Sequence, residues 1–528
     1  MDTRADTSPD RTLEGLRVLA LPSSGFAPEK HYIFQPLLAA KARWNWHIDI
    51  LCSAKPPKEY DQLVAPSGRY FARPMMTEHE AWEDDPQAVA KVDQLIKEIE
   101  IASGIPTGQI VLAADSKIGR GFVAPVINLG RNVTSRIVER DNREPYRAAR
   151  RLFRFADEML EACAPDLVYS YEWAKPWLFT VWLAAHRRGI PCVVVRRSKL
   201  RSDHCYVTAD RLMFNVAARG LAAAKRDAKA KVSDAAIEYI RAFREQPRMV
   251  NYVKAKWQEK AKNTWLNWHV SWARSTASSM LKTMVQPANV RRVVKAGRKL
   301  FDFNRKLVRA RRQKRFFSVF SPTELAAMNY IYFPLHKETD LPVNFQATAW
   351  FDQQNTIRLL ASVAPNGYRL LVREHRHNFG LRSSRYYREL AQLPNVVLVD
   401  AFDSQFKYIE NADLIVTENG SSGWEGLLLG RRVLTLANTF FDGAGLARKL
   451  EKRDDLGGII VQALSQPAVG DQSAHDRNLG YMVDAEFETA FDPSERNGAL
   501  GGLQAALYPL LARRGAQASG LGRLAVDA

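Results

Sequence analysis

The stretch ADLIVTENGSSGWEGLLLGRRVLTLA, residues 412–437, decides the fold. Leu414–Thr417 is a short apolar, β-branched run bounded by polar residues, the pattern of a buried strand. Glu418-Asn419-Gly420-Ser421-Ser422-Gly423 follows, rich in turn formers. Trp424-Glu425-Gly426-Leu427-Leu428-Leu429 then reads as a helix that stops at Gly430. Val433–Ala437 begins a new strand. Strand, turn, helix, strand is the grammar of a parallel sheet.

The same grammar extends outward. YIYFPLH (330–336), YRLLVREH (368–375) and NVVLVD (395–400) read as strands. TAWFDQQNTIRLLASVA (348–364), SSRYYRELAQL (383–393) and FDSQFKYIENA (402–412) read as the helices between them. Five strands alternating with four helices make a doubly wound α/β domain. The first half repeats the theme less clearly. RVLAL (17–21), HIDILC (47–52), DLVYSYEW (166–173) and PCVVVRR (191–197) are strand candidates, with helices at 31–43, 147–162 and 176–189. Residues 53–145 are polar and give no clear pattern.

The expected organisation is a disordered tail (1–14), a Rossmann-like acceptor domain (15–215), a basic helical insert or linker (216–320), a nucleotide-sugar-binding Rossmann-like domain (321–515) and a flexible tail (516–528). Two Rossmann-like domains facing a cleft, with a basic helical insert, is a GT-B-like α/β fold. No apolar run is long enough to span a bilayer. The polar N-terminus does not read as a secretory signal. Cys52, Cys163, Cys192 and Cys205 are far apart in sequence and form no metal-binding or disulfide framework. A cytoplasmic setting is expected.

The net charge of +19 is concentrated. Residues 241–320 hold 21 Lys or Arg against 3 Asp or Glu, a net of +18. Trp257, Trp265, Trp268 and Trp272 recur there at spacings that keep them near one helical face. Tryptophan among cations suits an anionic membrane interface. Trp265, Trp268, Trp272, Arg305, Lys306, Arg309, Arg311 and Arg312 are the candidate membrane-binding residues, placing the protein peripherally on the inner face of the cytoplasmic membrane. The same tryptophans could instead pack into a core. No zinc finger or RNA-binding signature accompanies the charge, so nucleic acid is not an expected partner.

Ligands of such sheets bind beyond the carboxyl ends of the strands. His336, Arg373, His375, Glu418 and Asn419 all stand there. The Gly420–Gly423 loop opens a helix, so backbone N–H groups and the helix dipole offer a phosphate site. Ser421 and Ser422 add hydroxyls, and Glu425 is placed to accept from a ribose. The same pattern also serves a capped helix with small residues for close packing. His375, flanked by Arg373 and Arg376, could neutralise a departing phosphate. In the first half Glu172 and Asp203 are the candidate carboxylates for deprotonating an acceptor hydroxyl.

Residues 330–446, with YFPLH, the strand ending in Glu374-His375 and the run GSSGWEGLLLGR, resemble the capsule polysaccharide biosynthesis family. That family includes transferases of 3-deoxy-manno-octulosonic acid (Kdo) and related GT-B enzymes. Its members commonly read K-E-H-P where this chain has Arg373-Glu374-His375-Arg376. The resemblance implies a glycosyltransferase that moves a sugar from a nucleotide-activated donor to a surface-polysaccharide or lipid-linked glycan acceptor. It implies that His375, Ser421 and Ser422 hold the donor phosphate and that Glu425 lies near the ribose. Kdo as the sugar would imply CMP-Kdo as co-substrate. No metal and no other cofactor is expected. A sugar-nucleotide epimerase of the same fold, and a non-catalytic membrane- or nucleic-acid-binding protein, are the competing readings.

Overall fold

The computed structural model describes residues 12–22, 27–52, 60–64, 68–72, 79–109, 144–247, 270, 274, 277, 301, 306–337, 342–376, 378–466 and 471–518. These divide into two compact units. The first takes its residues from 12–109, 144–221 and 483–518, the second from 222–482.

The first unit is built on a six-stranded sheet. Its strands are β1 (Arg17–Leu21), β2 (His47–Cys52), β3 (Tyr70–Ala72), β4 (Leu167–Ser170), β5 (Cys192–Arg197) and β6 (Cys205–Thr208), in the order β3-β2-β1-β4-β5-β6. All neighbours are parallel except β5 and β6, a hairpin closed by residues 198–204. The central strands β1 and β4 are buried at every position but Arg17, as fits a sheet with helices on both faces. Helices α1 (Ala27–Trp44), α2 (Pro86–Ser103), α3 (Glu144–Cys163) and α4 (Pro176–Arg187) belong to this unit. Pro at N1 starts α2 and α4, where the missing N–H has no intrahelical partner to lose.

The second unit holds β7 (Tyr330–Pro334), β8 (Arg369–Arg373), β9 (Val396–Val399), β10 (Leu414–Thr417), β11 (Val433–Thr435) and β12 (Arg448–Lys449). This sheet is parallel throughout, in the order β12-β11-β10-β7-β8-β9. Counted from β7, that is 3-2-1-4-5-6 read from the β9 edge. The first sheet, counted from β1, has the same order. Both units are therefore Rossmann-like, as the sequence led us to expect, the first with its last strand β6 reversed. The connecting helices α7 (Gln353–Val363), α8 (Ser384–Ala391), α9 (Gln405–Glu410), α10 (Ser421–Leu428) and α11 (Leu456–Ser465) follow. The core gathers Ile331, Phe333, Leu370, Val372, Leu414, Val416 and Leu434 with Ile357, Leu360, Leu390 and Ile460. Each such side chain contributes about 1.5–3 kcal/mol on burial.

The chain passes between units along two helices, α5 (Val216–Asp227) and α12 (Gln472–Thr489). A further helix of the second unit, α6 (Asp234–Glu245), follows α5. The domain boundaries read from sequence need correction at the end of the chain. Residues up to 515 were expected to complete the second domain. Helix α13 (Arg496–Ala518) instead belongs to the first unit, where Leu503, Leu507 and Leu511 share a core with Leu37, Ala40 and Trp44 of α1. Its apolar stripe is what closes that core. Among the described residues, no helix is long and apolar enough to cross a membrane.

Candidate functional site

In a sheet of this order the crossovers reverse direction between the first and fourth strands, leaving a crevice at their carboxyl ends. In the second unit those strands are β7 and β10. Strand β7 runs out through Leu335 to His336, and β10 runs out through Glu418 and Asn419 to Gly420. The structure brings these ends together. His336 Nε2 lies 4.0 Å from Glu418 Oε2. The imidazole also lies over Gly420, where a Cβ would come within 2.9 Å of His336 Cε1.

Gly420 is the N-cap of α10 and offers no side-chain cap. Ser421 and Ser422 open the helix half-buried. Their N–H groups belong to the turn that has no intrahelical acceptor. The loop is rigid below them: Gly420 N–H donates to Thr417 Oγ1 at 3.0 Å, and Asn419 Nδ2 donates to Gln346 Oε1 at 3.2 Å. Gly423 and Gly426 let α10 lie close on β10, since a Cβ at Gly426 would meet Ile415 Cδ1 at 2.2 Å. The small residues thus serve packing as well as the open helix end.

Glu425 needs correction. It is the fifth helical residue, beyond the first turn, and is fully buried, accepting a 2.8 Å hydrogen bond from Gln405 Nε2. Arg373 is also committed elsewhere. It is buried, and its Nη2 donates to the carbonyls of Ala401 (2.8 Å) and Asp403 (3.0 Å), pinning the loop between β9 and α9. Arg376 Nε donates to the same Ala401 carbonyl. Burial, followed by the charge of Arg373, lowers the Arg376 guanidinium to about 10.

His375 is half-buried just past β8. Its N–H donates to Glu374 Oε1 at 2.6 Å, and its carbonyl accepts from Asn378 N–H. Glu374 is the centre of this loop, wholly buried. Its Oε2 accepts from Arg382 Nε (2.7 Å) and Tyr387 OH (2.8 Å), and its Oε1 from Asn378 Nδ2 (3.3 Å). These bonds fix the loop where the family pattern places a proline. Glu374, Asn378, Arg382 and Tyr387 were not foreseen as a set, because nothing local in sequence marks residues that meet only through a buried carboxylate.

In the first unit the crevice position falls between β1 and β4. Ser23–Gly25, past β1, lie outside the described residues. Glu172 stands just past β4, with Oε1 2.7 Å from Lys175 Nζ. Ser170 Oγ donates to the carbonyls of Leu21 (3.2 Å) and Glu172 (2.9 Å), joining the two strand ends. Arg196 Nη1 donates to the Tyr171 carbonyl at 3.1 Å, and its guanidinium lies over the Tyr171 ring. Asp203 sits apart, in the β5–β6 hairpin, with its side chain 72% exposed. Partial burial raises its carboxyl, but the hydrogen bond and charge of His204 lower it by more, which weakens it as a base.

The membrane set divides. Trp265, Trp268, Trp272 and Arg305 lie outside the described residues. Residues 306–313 are helical, and one face of that helix packs on the second unit. Lys306 is only 9% exposed, Ala310 joins Phe379 and Ala401, and Gln313 donates to the Arg382 carbonyl. Lys306 therefore cannot face a lipid surface. Arg309 is half-buried and donates to the Leu381 carbonyl. Arg311 and Arg312 are exposed, and Lys314 and Arg315 beyond them are too. No group of three or more His, Cys, Asp or Glu placed to hold a metal occurs among the described residues.

Residues 225–455 match the family model described as "Capsule polysaccharide biosynthesis protein". This stretch is similar to the capsule polysaccharide biosynthesis family. The matched residues run from α5 to the segment after β12 and include the whole β7/β10 crevice. Solved structures similar to the chain include KpsC of Thermosulfurimonas dismutans. Its beta Kdo 2,4 transferase is 12% identical, with 60% of this chain and 79% of that one covered and a TM-score of 0.33. Its beta Kdo 2,7 transferase is 8% identical, with 62% and 80% covered and a TM-score of 0.30. The UDP-GlcNAc 2-epimerase of Neisseria meningitidis, bound to UDP-GlcNAc, is 12% identical, with 94% and 100% covered and a TM-score of 0.26. No curated protein matches the chain.

Proposed function

We propose that this protein is a glycosyltransferase of capsule or related surface-polysaccharide synthesis. It takes a sugar from a nucleotide-activated donor and passes it to a glycan or glycolipid acceptor. The observation that carries this reading is the β7/β10 crevice. There an uncapped helix N-terminus, two serines and a histidine converge inside the stretch that matches the family. A phosphate group suits that convergence of N–H dipoles, hydroxyls and imidazole. His375, on the loop after β8, is assigned to the departing phosphate. Glu172, at the corresponding crevice of the first unit, is assigned to deprotonate the acceptor hydroxyl. It is preferred to Asp203, whose carboxyl is exposed and depressed. Residues 330–446 resemble a family that includes Kdo transferases, which makes CMP-Kdo the first donor to try. Exposed Arg311, Arg312, Lys314 and Arg315 favour work at an anionic membrane surface, where lipid-linked acceptors are found.

The test is incubation of the purified protein with a panel of nucleotide sugars, CMP-Kdo among them, and short capsular or lipid-linked acceptors. Products are weighed by mass spectrometry. An acceptor heavier by one sugar residue, with the nucleotide released, supports transfer. Isomerisation of a nucleotide sugar without acceptor would replace this reading by the epimerase one. Neither product from any donor would overturn it.

A further inference from the structure

The pair His336 and Glu418 goes beyond a phosphate loop with a nearby histidine. Glu418 is fully buried at the end of β10, and the His336 side chain is 13% exposed. A buried carboxylate is costly unless cations or donors compensate it. The His336 imidazole lies 4.0 Å from Glu418 and, when protonated, makes an ion pair with it. The His336 backbone is held from two sides. Its N–H donates to Gln353 Oε1 at 2.7 Å, and its carbonyl accepts from Gln353 Nε2 (3.2 Å) and Asn378 Nδ2 (3.1 Å). Gln353, the first residue of α7, is itself buried. Gln353 and Asn378 thus hold the His336 backbone, with Glu418 4.0 Å from the ring and the glycine of the α10 N-cap against it.

That placement has a chemical consequence. A carboxylate behind an imidazole favours its protonated form and orients its ring. The uncapped end of α10 begins where the ring touches Gly420, and it carries positive potential of its own. With His336 protonated, two electropositive groups stand side by side, next to a carboxylate sealed from solvent. An anion in front would be bound by both.

We infer that His336 of the β7/β10 crevice binds the phosphate group with a charge and a ring orientation set by Glu418, alongside His375 of the loop after β8. Glu418 is then a positioning residue that charges and orients His336, and it does not itself touch the donor. This deepens the donor-site reading and rests on it for the identity of the anion as a phosphate group.

The experiment uses the full chain labelled with ¹³C-histidine, with the His336 ring signal assigned from the His336→Gln variant. Inorganic phosphate and, separately, CMP are titrated in. The His336 signal should move saturably with each probe. His336→Gln and Glu418→Gln should each weaken inorganic phosphate about tenfold, with thermal midpoints close to that of the wild type. Glu418→Gln should also shift the ring signal before any ligand is added, which mere packing at residue 418 does not require. Glu418→Asp should recover part of the lost affinity. His336→Gln, on the surface-reaching loop, carries the affinity comparison independently of how well the buried variant folds. A His336 signal unmoved at saturating phosphate, or phosphate affinity within twofold of wild type in His336→Gln, overturns the inference. If the phosphate results come out as expected while no nucleotide sugar is turned over, the transferase reading fails and the paired histidine stands.

Discussion

Arg382 Nε donates to Glu374 Oε2 at 2.7 Å, and neither side chain reaches solvent. Removing one partner of a buried pair strands the other charge and costs about 3–5 kcal/mol. Glu374→Ala also removes the acceptor used by Tyr387, Asn378 and the His375 N–H. It should lower the thermal midpoint by several degrees or abolish folding of the second unit. A double-mutant cycle with Arg382→Gln should show a coupling above about 1 kcal/mol. Additive losses would mean that the two side chains are not energetically paired.

Glu486 gives a pH dependence whose direction is fixed. It is fully buried in the first unit, where Ser198 Oγ donates to its Oε2 at 3.0 Å. Burial raises the carboxyl to about 7 from an ordinary 4.5, against the opposing hydrogen bonds of Ser198 and Asn215 and the charges of Lys199 and Arg219. The folded protein holds a proton here that the unfolded chain gives up above about 4.5. The stability it contributes is complete below that value and drains away as pH rises through about 7, on the order of a few kcal/mol. Glu486→Gln mimics the protonated form at all pH. Its melting midpoint should therefore match wild type near pH 5 and exceed it at pH 8, read by fluorescence-monitored melting. A constant difference across that range would show that Glu486 does not titrate there.

Ser421→Ala combined with Ser422→Ala should weaken donor use at least about tenfold in kcat/KM, near 1.4 kcal/mol. The helix persists, because Gly420 and not a serine side chain forms the cap. Unchanged kinetics with intact circular dichroism would assign the serines to packing.

Vesicle sedimentation tests the basic surface. Binding should require anionic lipid and fall as salt rises, because exposed charges are screened. Replacing Arg311, Arg312, Lys314 and Arg315 with Gln should reduce it by at least about tenfold. Changing Lys306, which is buried, should instead lower stability. Binding that ignores salt, or is unaffected by the four replacements, would remove the electrostatic role.

The sequence shows the strands of the second sheet because parallel central strands are apolar on both faces. YIYFP, RLLV and LIVT stand out for that reason. Tyr70–Ala72, Cys205–Thr208 and Arg448–Lys449 lie at sheet edges and have no such run, so they were not foreseen. The strand-end rule located His336, His375, Glu418 and the serine loop by position. It could not tell that Glu425 and Arg373 spend their polar groups on Gln405 and on backbone carbonyls, since those partners are 20 or more residues away. The shared strand order of the two sheets was equally invisible. It is a repeat of topology, with no matching repeat of residues.

Helix α13 closes the core of the first unit although it lies at 496–518, almost five hundred residues after β1. During synthesis, Leu37, Trp44 and their neighbours leave the ribosome long before Leu503, Leu507 and Leu511 exist. The nascent first unit must wait, its apolar groove uncovered, while the entire second unit is made. A chain that stops short of residue 496 would leave that groove uncovered for good.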